Sequence, residues 1–214
     1  MKISNFYFIC FGGLMVLNLK AQGTTFLSNV ADTPIGNRSI GSDSRWGQWF
    51  TTGTNIAGYS LNSVEIKMNP ATGNPSGFNL SLYSIPLPNS LIGNLTGIEP
   101  SSSGVFSYSA SGINLLPSHS YLLAASASST LAEGSYNWSY AAEPQRLNDW
   151  DIGNRYRSTD GVNWLIDDRS TSFQFAINAS VIPEPSSLIL LGLGGSFLFT
   201  RLANKSRSRA LSQP

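Results

Sequence analysis

Five acidic residues, Asp149, Asp151, Asp160, Asp167 and Asp168, fall close together late in the chain. Two carboxylates roughly 5–10 Å apart can hydrolyse a glycosidic bond, one as acid and the other as nucleophile or base. Here Arg155, Arg157 and Arg169 interleave with the aspartates, the pattern of solvated loop pairs, which is the competing use of these carboxylates. Asp149-Trp150-Asp151-Ile152-Gly153-Asn154 offers oxygens at alternate positions. Calcium takes six to eight such oxygens, but the twelve-residue loop ending in Glu is missing. A structural calcium is therefore the only metal or cofactor to weigh. All five tryptophans (Trp46, Trp49, Trp138, Trp150 and Trp164) lie between residues 24 and 180. An indole face stacks on a sugar ring as readily as it packs in a core. Trp150 and Trp164 flank the acidic segment and are the candidate carbohydrate contacts. Cross-strand packing is the competing use. His119 is the only imidazole, set between Ser118 and Ser120 without a glycine-framed nucleophile elbow. Nucleophilic catalysis needs a base beside a nucleophile and an acid to orient it. No catalytic residue is nominated.

The 214 residues carry 13 Lys plus Arg against 12 Asp plus Glu, a formal net charge of +1, and only 12% of them are charged. Nothing resembles the basic stripe of a nucleic-acid binder. One cysteine and one histidine exclude a disulfide framework and Cys- or His-rich metal sites. The charge is unevenly placed. Lys2, Lys20, Arg201, Lys205, Arg207 and Arg209 lie near the ends, leaving seven basic and eleven acidic residues over 24–180, a balance of 7 − 11 = −4.

The elements that must position these groups begin after a targeting segment. Lys2 precedes the apolar run FYFICFGGLMVLNL, Phe6 to Leu19, and small residues follow at Ala21 and Gly23. This is the layout of a signal peptide over 1–23, read by the Sec export machinery. The run is too short for the roughly 17–25 residues that span a bilayer, which argues against an uncleaved anchor. Cys10 leaves with the signal, so the exported form has no cysteine.

The opposite end, 181–214, has three parts in order. Val181-Ile182-Pro183-Glu184-Pro185 is a stiff, non-helical entry. Ser187 to Thr200 is apolar, with Gly192, Gly194 and Gly195, and reads as a short membrane helix. Arg201, Lys205, Arg207 and Arg209 form a basic tail that stays cytoplasmic.

Box, short glycine-containing helix and arginine-rich tail together resemble the PEP-CTERM sorting signal, on Pro183, Glu184, Pro185, the stretch 187–200 and the tail from Arg201. The resemblance implies recognition and cleavage by an exosortase. It also implies a Gram-negative host, transient anchoring in the inner membrane, and delivery to the cell surface or an exopolysaccharide matrix.

Between the signals, no stretch sustains helical spacing. Period two dominates in Leu61–Met68, Phe78–Tyr83 and Ser172–Asn178, and His119–Ala127 is apolar on both faces, as a central strand is. Further strands are expected at 25–30, 46–52, 104–109, 134–141 and 162–166, for eight to ten in all. Asp160-Gly161 predicts a type I′ hairpin, and the stretch from 84 to 104 reads as one long loop. The expected fold is an all-β antiparallel sandwich or jelly roll over 24–180. This domain resembles the type R "choice-of-anchor" group of bacterial surface domains. The likeness rests on Trp49-Phe50-Thr51-Thr52-Gly53, Gly58 to Val64, Asn79 to Ser84, Leu115 to Tyr121, Trp164 and Phe173-Gln174-Phe175. It implies place and fold but no chemistry. Six Asn-x-Ser/Thr sequons, at Asn37, Asn79, Asn94, Asn137, Asn178 and Asn204, reflect an Asn- and Ser-rich composition. The expected function is that of an exported, non-enzymatic surface or matrix protein, with exopolysaccharide binding as the alternative.

Overall fold

The structure, a computed structural model, describes residues 23–86, 90–142 and 149–184. Among them there is no helix; the chain folds as fourteen strands in two antiparallel sheets. In chain order these are Thr24–Ser28 (β1), Pro34–Ile40 (β2), Arg45–Thr51 (β3), Tyr59–Gly73 (β4), Asn79–Ser84 (β5), Ser90–Leu95 (β6) and Gly104–Ser109 (β7). Asn114–Leu115 (β8), Ser120–Ser126 (β9), Gly134–Ala142 (β10), Asp151–Ser158 (β11), Leu165–Asp168 (β12), Thr171–Phe173 (β13) and Phe175–Val181 (β14) follow. The first sheet runs β1-β14-β4-β10-β13, with β7 and β8 also on β4 and β2 also on β10. The second runs β12-β11-β3-β9-β5-β6. The signal and the 187–200 segment lie outside the described residues.

The alternation read from sequence is what buries one face of each sheet. Val64, Ile66 and Met68 on β4 and Phe175 and Ile177 on β14 meet Phe50 of β3, Leu80 and Leu82 of β5, and Tyr121 and Leu123 of β9 in one core. Polar side chains link the two sheets. Gln48 of β3 accepts the Phe173 N–H at 2.8 Å, while its amide donates to the Gly153 carbonyl at 2.7 Å.

Four strands escaped the sequence reading. β2, β8 and β11 carry little apolar alternation, and β6 occupies part of the expected 84–104 loop. The strand expected at 162–166 starts at Leu165 instead, and the reason lies in the turn. A type I′ turn needs positive φ at both central residues, but of Asp160 and Gly161 only Gly161, at φ 79°, has one. Asp160 instead accepts the backbone N–H groups of Val162 and Asn163 at 2.9 and 2.8 Å. That widens the connection into a side-chain-capped loop.

The registers give the domain two ends. At one, the base, Thr51 pairs with Ser120 and with Asp151, and Tyr59 pairs with Val181 and with Leu115. Ser118 N–H to Gly53 O and Asn55 N–H to Tyr59 Oη tie the two sheets there. At the other, the tip, Arg45 pairs with Ser158 and Trp46 with Ala125.

Candidate functional site

The sorting box leaves directly from the base. Backbone pairing of β14 continues through Val181 opposite Tyr59, and the Ile182 N–H donates to the Gly58 carbonyl at 3.1 Å. Gly58 is held at φ 79°, where a Cβ would press on the Leu115 carbonyl oxygen, so glycine is required. Pro183 and Glu184 follow at once and are exposed. Pro185, Arg201, Lys205, Arg207 and Arg209 lie outside the described residues.

The structure places the two candidate sugar-stacking tryptophans away from solvent. Trp150 is 1% exposed. Its ring stacks on Phe26 at 5.1 Å and on Phe50 at 6.2 Å, and meets Tyr59 edge-on at 4.9 Å. Trp164 is 8% exposed and packs with Leu122, Ala124 and Tyr156 over the outer face of the second sheet. Its indole N–H donates to the Gly161 carbonyl. Both indoles are spent on packing, so neither offers a face to a sugar.

The aspartates separate by role. Asp160 closes its own loop, and hydrogen bonds donated by the Asn163 and Val162 backbone, the Asn163 amide and the Ser158 hydroxyl hold its carboxyl well below the usual range. Asp168 is depressed too, chiefly by the Thr171 hydroxyl and the Ser170 backbone N–H, with Arg155 adding to it. A glycosidic general acid needs the opposite displacement, upward. Asp151 is the first residue of β11, extended rather than wrapped around an ion, and among the described residues no three His, Cys, Asp or Glu gather as metal ligands. His119 Nε2 lies 2.8 Å from Ser84 Oγ, but its ring packs edge-on against Tyr121, and among the described residues no carboxylate hydrogen-bonds to it.

Arg155 is the site residue the sequence hid. It was expected in a solvated loop and is instead 1% exposed, inside β11. It donates to Asp167 at 2.9 Å and Asp168 at 3.2 Å and lies 4.4 Å from the Tyr140 ring centre. Its Nε and Nη1 are buried without hydrogen-bond partners among the described residues. Burial pulls its pKa down from the ordinary arginine value, against the pull of Asp167. The guanidinium of Arg38 continues the stack, between the rings of Tyr140 and Trp46.

At the tip, a groove of about 320 Å³ opens between Asp43, Arg45, Trp46, Arg157, Asn163 and Leu165. Trp46 and Arg157 face each other across the β3–β11 ladder. Arg45 spends Nε and Nη1 on the carbonyls of Ser42 and Asp160, and Arg157 is exposed. Period two in Asn154-Arg155-Tyr156-Arg157 was the signal that could have placed both arginines on one face, opposite Tyr156.

A comparison with curated proteins returned no match. A comparison with protein families matched residues 181–205 to the family described as PEP-CTERM protein-sorting motif. The match takes in the Pro-Glu-Pro box, the apolar stretch, Arg201 and Lys205, and stops short of Arg207 and Arg209. Such a motif marks a protein for export and for sorting by an exosortase. The chain thus carries, directly after the last strand of a two-sheet β-domain, a PEP-CTERM protein-sorting motif.

Proposed function

We propose that the chain is a non-catalytic surface or matrix protein. In this reading a β-sandwich of the choice-of-anchor kind is exported and held briefly in the inner membrane of a Gram-negative cell by 187–200. An exosortase cuts it near the box, and it stays in the envelope or exopolysaccharide. The observation that carries this is the sorting motif itself, with Pro183 and Glu184 exposed directly after β14. The reading needs no cofactor and no calcium. What supports it is the structural use of three candidate groups: Asp160 and Asp168 are depressed and hydrogen-bonded within their loops, and the His119 ring packs on Tyr121. The test compares cells with and without the exosortase. Loss of the enzyme, or Pro183→Ala with Glu184→Ala, leaves a larger, membrane-retained precursor. Unchanged size and location in both would refute the processing step.

A second reading, exopolysaccharide binding, is favoured by the tip groove rather than by Trp150 and Trp164. Two guanidinium groups beside apolar surface suit a saccharide bearing a carboxylate, with apolar contact from Trp46 and Leu165 and charge-assisted hydrogen bonds from Arg157, while Asp43 in the same lining is engaged by the Leu131 N–H at 3.0 Å. Affinity electrophoresis in a uronic-acid polysaccharide gel tests it. Arg157→Ala, at an exposed position, weakens retardation about tenfold, the worth of a hydrogen bond to a charged group. Equal mobility of the two proteins at every gel concentration would remove the reading.

A further inference from the structure

The two segments that the sequence marks as membrane-directed leave the domain from the same end. Thr24 pairs with Ala179 and Tyr59 with Val181, so the chain before residue 23 and the chain after residue 184 both depart at the base. The sorting segment leaves almost without slack. Ile182 is pinned to the Gly58 carbonyl, and the apolar stretch begins at Ser187. Pro183 and Pro185 favour the extended polyproline form, whose rise of about 3.1 Å per residue lets this connection reach about 15 Å. Roughly 6 Å of that is taken up by the headgroup layer. The base therefore stands within about 10 Å of the headgroups even with the connection fully drawn out.

The base is built to close that gap. Ile56, Leu116 and Val181 are each at least half exposed. They cluster around the pinned exit: Ile56 sits in the turn closed by Gly58 N–H to Asn55 O, Leu116 follows the Leu115 that pairs with Tyr59, and Val181 is the last residue of β14. The loops 52–58 and 114–118 contain no Asp, Glu, Lys or Arg. We propose that, before processing, the base rests on the bilayer that holds residues 187–200, with Ile56, Leu116 and Val181 in the headgroup layer and the tip groove facing away. This rests on the reading of 187–200 as a membrane segment. Tethered this closely, apolar side chains gain by leaving water for the interface. Cleavage near the box then removes the tether and frees this end.

The test uses the full chain after signal removal, from cells lacking the exosortase, in phosphatidylcholine vesicles. It then has no cysteine of its own, so Ile56→Cys or Leu116→Cys places one fluorescent label at the base and Val162→Cys one at the tip. The expected result is a blue-shifted base label that lipid-borne nitroxide quenches. That label is protected several-fold from aqueous iodide relative to the tip label. Equal iodide quenching at both ends, with the protein surviving an alkaline wash of the vesicles, overturns the docking and leaves the membrane segment standing. Loss of the protein in that wash overturns the membrane segment, and the docking with it.

Discussion

Arg155 is a charge enclosed between two sheets, and the sign of its contribution can be worked from its surroundings. Its side chain is 2% exposed, whereas those of Asp167 and Asp168 are 19% and 29% exposed. Removing the carboxylates and removing the cation are therefore unequal perturbations. Asp167→Asn with Asp168→Asn leaves a guanidinium buried with no counter-charge among the described residues, a defect that costs roughly 3–5 kcal/mol. The carboxylates are partly solvated, so the lower end, about 3 kcal/mol, is expected. Arg155→Met leaves two carboxylates that can still reach water, removes the unpartnered Nε and Nη1, and keeps an unbranched chain against Tyr140 and Phe173. The losses are the ion pairs and a cation–π contact worth about 1–2 kcal/mol. The relief of desolvation is of similar size, so the net change is within about 1 kcal/mol of zero. Equilibrium urea unfolding followed by tryptophan fluorescence separates the cases. With a slope of about 2 kcal/mol/M, the double Asn variant moves the midpoint down by about 1.5 M and Arg155→Met by less than about 0.5 M. If Arg155→Met lost as much as the double variant, the burial argument would be wrong and the ion pair itself would be the stabilising element.

Three further outcomes follow from the geometry. Asp160 and Asp168 have folded-state pKa values below the unfolded value of about 3.9. Their contribution is therefore complete above that pH and fades as pH falls below about 4, and Asp160→Asn with Asp168→Asn should flatten the decline of Tm between pH 6 and pH 2.5. Trp150→Ala should cost about 3–5 kcal/mol in urea unfolding, because the ring fills the core among Phe26, Phe50 and Tyr59. Trp164→Ala, on the outer face where neighbours can relax into solvent, should cost clearly less, and the reverse order would contradict the assignment. Gly58→Ala combines a left-handed backbone with a clash on the Leu115 carbonyl and should lower stability by about 2 kcal/mol, read as a drop in Tm.

What could be read without coordinates followed from how one-sided each strand is. β4 and β14 each bury one face against the other sheet, so Val64-Glu65-Ile66-Lys67-Met68 and Phe175-Ala176-Ile177-Asn178 announce themselves by alternation, though the one strand expected over Ser172–Asn178 is two, β13 and β14, parted at the buried Gln174. β2, PIGNRSI, buries only Ile40 fully, and β11, DIGNRYRS, turns an arginine inward. A hydropathy pattern assigns such residues to water, and only the rings of Tyr140 and Phe173, supplied by distant strands, reverse that. Trp150 failed in the same way, since its neighbours Phe26, Phe50 and Tyr59 lie about 90 to 125 residues away in the chain. The sorting signal needed no fold to be legible, because its information is the linear order of proline box, apolar stretch and basic tail. The tip groove was illegible for the opposite reason. Arg45, Trp46, Arg157 and Leu165 meet only once β11 pairs with β3 and with β12.

The position of β14 also decides how the molecule carries a mechanical load. It is an interior strand, registered to β4 over seven residue pairs and to β1 over four, and its exit lies at the base. A pull between the tip and that exit runs along the strand axis, so the ladder is sheared with its rungs loaded together rather than peeled open one at a time. A protein held at this end while drag acts on the other would resist extension through β14 and its two neighbours.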